Sequence, residues 1–251
     1  MSNIGKAFEK GTAFIGFVTG GDPDLETSAG FVLEMVRAGA DLVEIGIPFS
    51  DPIAEGPVIQ EANIRALAAG TTTEKLFAMV ESIRKQTAVP LVFLTYLNPV
   101  FHYGYDRFFR RCRETGVDGI IIPDLPFEEQ DEVRSAASPC GVDLISLIAP
   151  TSQERSAEIA RSAAGFLYLV SSMGVTGIRG DINAGLAGMI ARVRSAAKLP
   201  VAVGFGIHTP AQAEEIARIA DGVIVGSAIV KIAAEYGREA GPYIYRYVKE
   251  M

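Results

Sequence analysis

The sequence predicts a single (β/α)8 TIM barrel over residues 1–251, with extra helices at the N-terminus, after strand 2 and near strand 8. Three observations predict it. Eight short apolar runs recur along the chain, each continuously apolar rather than alternating, as expected of strands buried on both faces in a parallel sheet. Most successive runs start 21–34 residues apart, the length of one βα unit. Eight such units in 251 residues match the size of a closed barrel, and no linker or charge run divides the chain. A doubly wound open sheet is the alternative. Its Gly-rich dinucleotide loop is missing, because Thr19-Gly20-Gly21-Asp22-Pro23 is not GxGxxG and Gly204-Phe205-Gly206-Ile207-His208-Thr209 lacks the third glycine.

The runs begin near Ala13 (AFIGFV), Asp41 (DLVEIGI), Leu91 (LVFLTY), Gly119 (GIIIP), Asp143 (DLISLI), Phe166 (FLYLV), Pro200 (PVAVGF) and Asp221 (DGVIVG). The 50-residue step from the second to the third leaves room for an extra helix, and both 57–69 and 73–85 read as helical. Helix starts are signalled by Thr71-Thr72-Thr73-Glu74, Thr151-Ser152-Gln153-Glu154 and Thr209-Pro210-Ala211-Gln212, each fitting a capping box, the last with Pro at the first helical position. Ser227 is expected to open a short helix after the eighth strand.

Composition narrows the function class. A net charge of −7 argues against nucleic acid, which needs a basic face to neutralise phosphates. Cys112 and Cys140 lack metal-ligand spacing and read as reduced thiols. The first residues, MSNIGKAFEKG, are too polar for a signal peptide, and no apolar run approaches the ~20 residues of a membrane span. A cytoplasmic protein is expected. His102 and His208, in a loop and a helix-start region, have no nucleophile partner, and HExxH is absent. No Lys falls at a strand end, which weighs against a Schiff-base aldolase.

The residues expected to carry chemistry lie at the C-terminal ends of the strands, where barrel active sites form. The second strand holds one carboxylate, Glu44, at a buried position, and an unpaired buried carboxylate costs several kcal/mol. Asp51 and Glu55 follow on a Pro- and Gly-punctuated loop, so an acid/base site is outlined there. The other strand ends supply Phe17, Thr19 and Asp22, then Leu94, Tyr96 and Asn98, then Ile121 and Asp124, and Tyr168. Gly204-Phe205-Gly206 and Gly226-Ser227 close strands seven and eight, where glycines and a helix N-terminus suit a phosphate. Segment 172–182, rich in glycine and carrying Arg179, reads as a closing lid. Other readings stay open. The glycines also suit tight turns, Asp51 also suits a loop cap, and Glu44 also fits a structural carboxylate bonded to a Tyr hydroxyl or a backbone N–H.

At this point the chain resembles the α subunit family of tryptophan synthase along nearly its whole length. The resemblance is carried by FVTGGDPD at 17–24, DLVEIGIPFSDPIAEGPVIQ at 41–60, TYLNPVF at 95–101, DGIIIPDLP at 118–126, YLVSSMGVTGIRG at 168–180, VGFGI at 203–207 and DGVIVGSAIV at 221–230. It implies cofactor-free retro-aldol cleavage of indole-3-glycerol phosphate to indole and glyceraldehyde 3-phosphate, in tryptophan biosynthesis. Glu44 would be the catalytic acid/base. Glu55 would be the second carboxylate, accepting the indole N–H where the family pattern has Asp. Phe17, Leu94, Ile121 and Tyr168 would line the indole pocket, and Thr176 would sit on the closing loop and help orient Glu44. Gly177, Phe205, Gly206, Gly226 and Ser227 would hold the phosphate. Asp51, Pro52, Asn98 and Pro126 would lie near a β subunit that carries pyridoxal phosphate, in an α2β2 complex. The competing readings are another phosphate-binding aromatic-path barrel and a non-catalytic subunit that only activates a β partner. Retention of Glu44 weighs against the second.

Overall fold

In the computed structural model, residues 2–149, 155–170, 179–204 and 206–251 are described, 179–184 as backbone only. The strands are β1 (Ala13–Thr19), β2 (Leu42–Gly46), β3 (Leu91–Leu94), β4 (Gly119–Ile121), β5 (Asp143–Ile148), β6 (Leu167–Val170), β7 (Val201–Gly204) and β8 (Gly222–Val225). They pair in sequence order, all parallel, and β8 closes on β1. The predicted barrel is observed, with each strand within two residues of its apolar run.

Strand parity separates two cores. Ala13, Ile15, Leu42, Val92, Ile121, Ile145, Phe166, Tyr168, Ala202 and Ile224 form one buried cluster that fills the barrel. The alternate residues, such as Val43, Ile45, Leu91, Phe93, Ile120, Val203 and Val223, pack outward beneath the helices. Both faces of every strand are therefore apolar, which explains the continuous runs.

The helices between strands are α1 (Leu25–Ala38), α2 (Pro57–Ala68) with α3 (Thr73–Arg84), α4 (Leu97–Tyr103) with α5 (Tyr105–Thr115), α6 (Gln130–Ala137), α7 (Ser156–Ser162), α8 (Arg179–Ala196) and α9 (Pro210–Ala217). After β8 come α10 (Ser227–Tyr236) and α11 (Gly241–Glu250). The two helices expected after strand 2 are present. The N-terminal element is a 3-10 turn, Ile4–Phe8, whose Ile4 and Ala7 plug the bottom of the barrel. Helix α4 was not read from the sequence, and it takes His102 out of the expected loop into a final helical turn. Pro99 sits at its third position, where a missing N–H costs nothing in the first turn.

Of the three capping signals, Thr209 forms the full box with Gln212. At α3 the cap is Thr72, accepting from the Lys75 N–H at 3.3 Å. Because Lys75 occupies the third helical position, no reciprocal bond forms and the box reading is corrected to a simple cap. The signal at 151–154 lies outside the described residues.

Aspartates just before strands seal the N-terminal rim. Asp41 accepts from Phe14 N–H (2.9 Å), Asp118 from Leu91 N–H (3.0 Å) and Asp221 from Val201 N–H (2.8 Å). Each ties a strand to its neighbour where the ladder begins. Asp118 also accepts from the Asn3 backbone at 3.0 Å and from Arg84 at 2.6 Å, pinning the plug to the barrel.

Candidate active site

The C-terminal end of the barrel is built around Glu44. It stands on β2 beside Phe17 of β1 and Val92 of β3 in the strand register, on the interior side. It is 1% exposed, and its Oε1 is buried with no hydrogen-bond partner among the described residues. Among the described residues neither a tyrosine hydroxyl nor a backbone N–H satisfies that oxygen, so the structural-carboxylate reading lacks its expected partner there. Burial without compensation pushes the carboxyl up to about 8. Tyr168 of β6 is driven well up too, first by burial and then by the nearby Glu44 charge. Thr19, two residues beyond Phe17, likewise buries an unpartnered hydroxyl.

Ile121 and Tyr168 belong to the interior cluster, with Leu94 packed against it. Phe17 and Leu94 also meet α2, whose inner face brings Val58, Ile59 and Ala62 over the mouth beside Val230 of α10. The contribution of Ile59 and Val58 was not anticipated. Their apolar spacing with Ala62 marks one face of a helix, but spacing alone cannot tell which strand that face covers.

Two glycines give the rings their space. A Cβ on Gly46 would lie 2.8 Å from Phe17 Cζ, and one on Gly204 would lie 2.5 Å from Tyr168 Oη. The glycine ending β7 therefore seats an aromatic ring, a role the phosphate reading alone did not supply. Gly226 lies against Phe17 more loosely, its Cβ position 3.5 Å from that side chain.

Glu55 lies on the loop between β2 and α2, half-buried. Asn63 of α2, itself buried, donates to Glu55 Oε2 at 2.6 Å. Desolvation raises the Glu55 carboxyl above its ordinary value, opposed by that hydrogen bond. Tyr96 closes the other side. Its hydroxyl accepts from Ala54 N–H at 3.0 Å, and it is pushed up to about 12, chiefly by burial, with the charges of Glu55 and Asp124 adding. Asp124 in turn accepts from Leu97 N–H at 2.8 Å and caps the start of α4.

At the far side of the mouth, Gly226 precedes α10 and Ser227 is its first residue, exposed to solvent. Gly206 holds a left-handed conformation (φ 85°) that favours glycine, and its carbonyl lies 2.8 Å from His208 Nδ1. Phe205, Thr176, Gly177 and most of the expected lid lie outside the described residues. Asp51 and Pro126 are exposed and Pro52 is half-buried on the loops that follow β2 and β4, and Asn98 is exposed in the first turn of α4, after β3. Between them Ile53 is 78% and Phe101 65% exposed, two large apolar side chains facing water at the same barrel end. Asp51 accepts from Ser50 Oγ at 2.5 Å and takes no part in the buried site.

Comparisons with known proteins point to one family. Residues 5–247 match the family model described as tryptophan synthase alpha chain. The tryptophan synthase alpha chain of Lacticaseibacillus casei is 51% identical over 251 residues, covering 100% of this chain and 94% of that one. That of Citrifermentans bemidjiense is 50% identical, covering 94% and 91%. Among solved structures, the alpha chain from Legionella pneumophila subsp. pneumophila superposes with a TM-score of 0.89 at 37% identity, covering 100% of this chain and 96% of that one. A chain of the tryptophan synthase α2β2 complex from Pyrococcus furiosus gives 0.88 at 38% identity, covering 95% and 96%.

Proposed function

The chain belongs to the tryptophan synthase alpha chain family and is a lyase of the α reaction, and we propose that Glu44 is the group that moves protons as it cleaves indole-3-glycerol phosphate. One observation carries the assignment. Glu44 is a buried carboxyl with an unpartnered oxygen, raised to about 8, set among Phe17, Leu94 and Tyr168. At neutral pH it holds its proton, as a general acid must.

The steps follow from that state. The neutral Glu44 carboxyl gives its proton to indole C3. The resulting carboxylate takes the proton of the hydroxyl borne by the glycerol carbon attached to indole C3, as the bond between those two carbons breaks. That hydroxyl oxygen becomes the aldehyde of glyceraldehyde 3-phosphate, the bonding electrons return to the indole ring, and Glu44 ends protonated. Glu55, its outer oxygen held by Asn63, accepts the indole N–H and stabilises the cation formed when C3 is protonated. Phe17, Leu94, Ile121 and Tyr168 hold the ring. Gly177, Phe205, Gly206, Gly226 and Ser227 hold the phosphate, with α10 turning its free N-terminal N–H groups to the anion, and Thr176 orients Glu44 from the closing loop.

The whole chain, residues 1–251, acts as one catalytic domain. Its partner is a β subunit carrying pyridoxal phosphate, docked on Asp51, Pro52, Asn98 and Pro126 around the exposed Ile53 and Phe101. The Pyrococcus furiosus relative, taken from an α2β2 complex, supports that partner. The test is release of indole from indole-3-glycerol phosphate by the purified chain, with and without a tryptophan synthase β subunit. With no Trp in the sequence, protein indole does not interfere with the fluorescence readout. Slow release that the β subunit accelerates is expected, and no release under either condition with a folded chain would overturn the assignment.

A further inference from the structure

Beyond the groups that face the substrate, an ion pair at the rim ties the loop after β1 to α2. Asp22, in the loop after β1, is 4% exposed, and Arg65 of α2 grips both its oxygens, Nε to Oδ1 and Nη2 to Oδ2, each at 2.8 Å. A buried carboxylate held by a planar guanidinium fork is fixed in direction as well as in place. The pair joins two elements of the site. Asp22 follows the strand that carries Phe17. Arg65 lies two residues beyond Asn63, the donor to Glu55, on the helix whose Ala62 packs against Phe17. Helix α2 begins at Gly56 with no side-chain cap, and among the described residues the side-chain hydrogen bonds of its first turns, Gln60 Nε2 to the Glu55 carbonyl at 2.7 Å and Asn63 to the Glu55 carboxylate at 2.6 Å, run back to Glu55 itself and not to the barrel. The geometry points to Asp22 and Arg65 as positioning residues for the reaction. Their fork sets the rotation of α2 against β1, and through Asn63 it sets the direction of the Glu55 carboxylate. The inference rests on Glu55 acting on the indole N–H.

The experiment is a double-mutant cycle on indole release. Arg65→Met and Asp22→Asn are each expected to lower kcat about tenfold while KM moves less than about threefold, since a group ~1 Å out of place loses transition-state rather than ground-state contact. Arg65→Lys keeps the charge beside Asp22 and the thermal stability but cannot fork, so its kcat is expected to stay at least about fivefold down. In a Glu55→Gln background the same substitutions should cost less than about twofold, because the group they position is already disabled. Full kcat in Arg65→Lys would overturn the proposal. An undiminished tenfold loss in the Glu55→Gln background would also overturn it, because it would mean a general structural role. Should Arg65→Met not fold by circular dichroism, Arg65→Lys, which keeps Asp22 paired, decides. Wild-type turnover in Glu55→Gln alone would instead overturn the role of Glu55, and the two failures are told apart by that single variant.

Discussion

At the scale of single residues, the molecule keeps one carboxyl in a place where ionisation is expensive. Glu44→Gln keeps the shape and removes the proton. Turnover should fall by about three orders of magnitude or more, with substrate binding nearly unchanged, and rapid-mixing kinetics beside equilibrium binding would check both. The same carboxyl couples stability to pH. Its folded value lies above its unfolded one, so between about pH 4.5 and 8 the folded state binds more protons. The stability associated with neutral Glu44 is complete below that window and declines as pH rises through it. Urea melts should therefore show Glu44→Gln gaining on the parent by roughly 3–5 kcal/mol between pH 4.5 and pH 9, and parallel pH curves for the two proteins would refute the buried neutral acid. By the resemblance Glu55 stands where the family pattern has the shorter Asp, and the structure shows what the longer side chain reaches, the Asn63 amide at 2.6 Å. Glu55→Asp withdraws the carboxylate by about 1.5 Å and should lower kcat about tenfold. Adding Asn63→Gln, which lengthens the donor by the same unit, should recover much of it; unchanged kcat in Glu55→Asp would show that the loop tolerates either length.

Among the elements, α2 turns a barrel into a site. It lays Val58, Ile59 and Ala62 over Phe17 and carries Asn63 and Arg65 toward the two carboxylates. Its existence was legible in the long step between the second and third strands, and its boundaries came within a residue. Which strand it covers was not legible, because helical periodicity names a face but no destination. The strand-end glycines teach the same lesson. Gly204 was read for its backbone, yet its missing Cβ also clears the ring of Tyr168. Gly204→Ala should therefore displace a buried Tyr168, cost about 1–3 kcal/mol in a thermal or urea melt and raise KM if the ring forms the proposed indole wall. A variant with unaltered stability and KM would show that the ring has room to move. Helix α4 escaped detection because seven residues with a proline inside carry too little periodicity to register.

For the whole molecule, the barrel's two ends divide the work. The N-terminal end is closed by the Ile4–Phe8 plug and by aspartates that bind neighbouring strands, and the C-terminal end is left to chemistry. Asp118 holds Asn3, Leu91 and Arg84 together, so Asp118→Ala should cost roughly 3–5 kcal/mol in urea unfolding with little change in the kcat of the folded fraction. A comparable loss of kcat would mean that the two ends are coupled. Among the described residues no helix is long and apolar enough to cross a membrane. Ile53 and Phe101 instead present exposed apolar surface at the catalytic end, where a partner would bury it. By itself the sequence determined the eight-unit barrel, the buried acid on the second strand, the aromatic and glycine positions at the strand ends, and the family. Those follow from local patterns, because burial on both faces writes continuous apolar runs and a motif is contiguous by definition. Only the tertiary structure decided that Glu44 Oε1 has no partner among the described residues, that Asn63 holds Glu55, that Arg65 forks Asp22, and that Gly204 makes way for Tyr168. Each of these joins residues 8 to 43 positions apart, except Glu44, where the deciding fact is what surrounds it, and such distances close only when the barrel does.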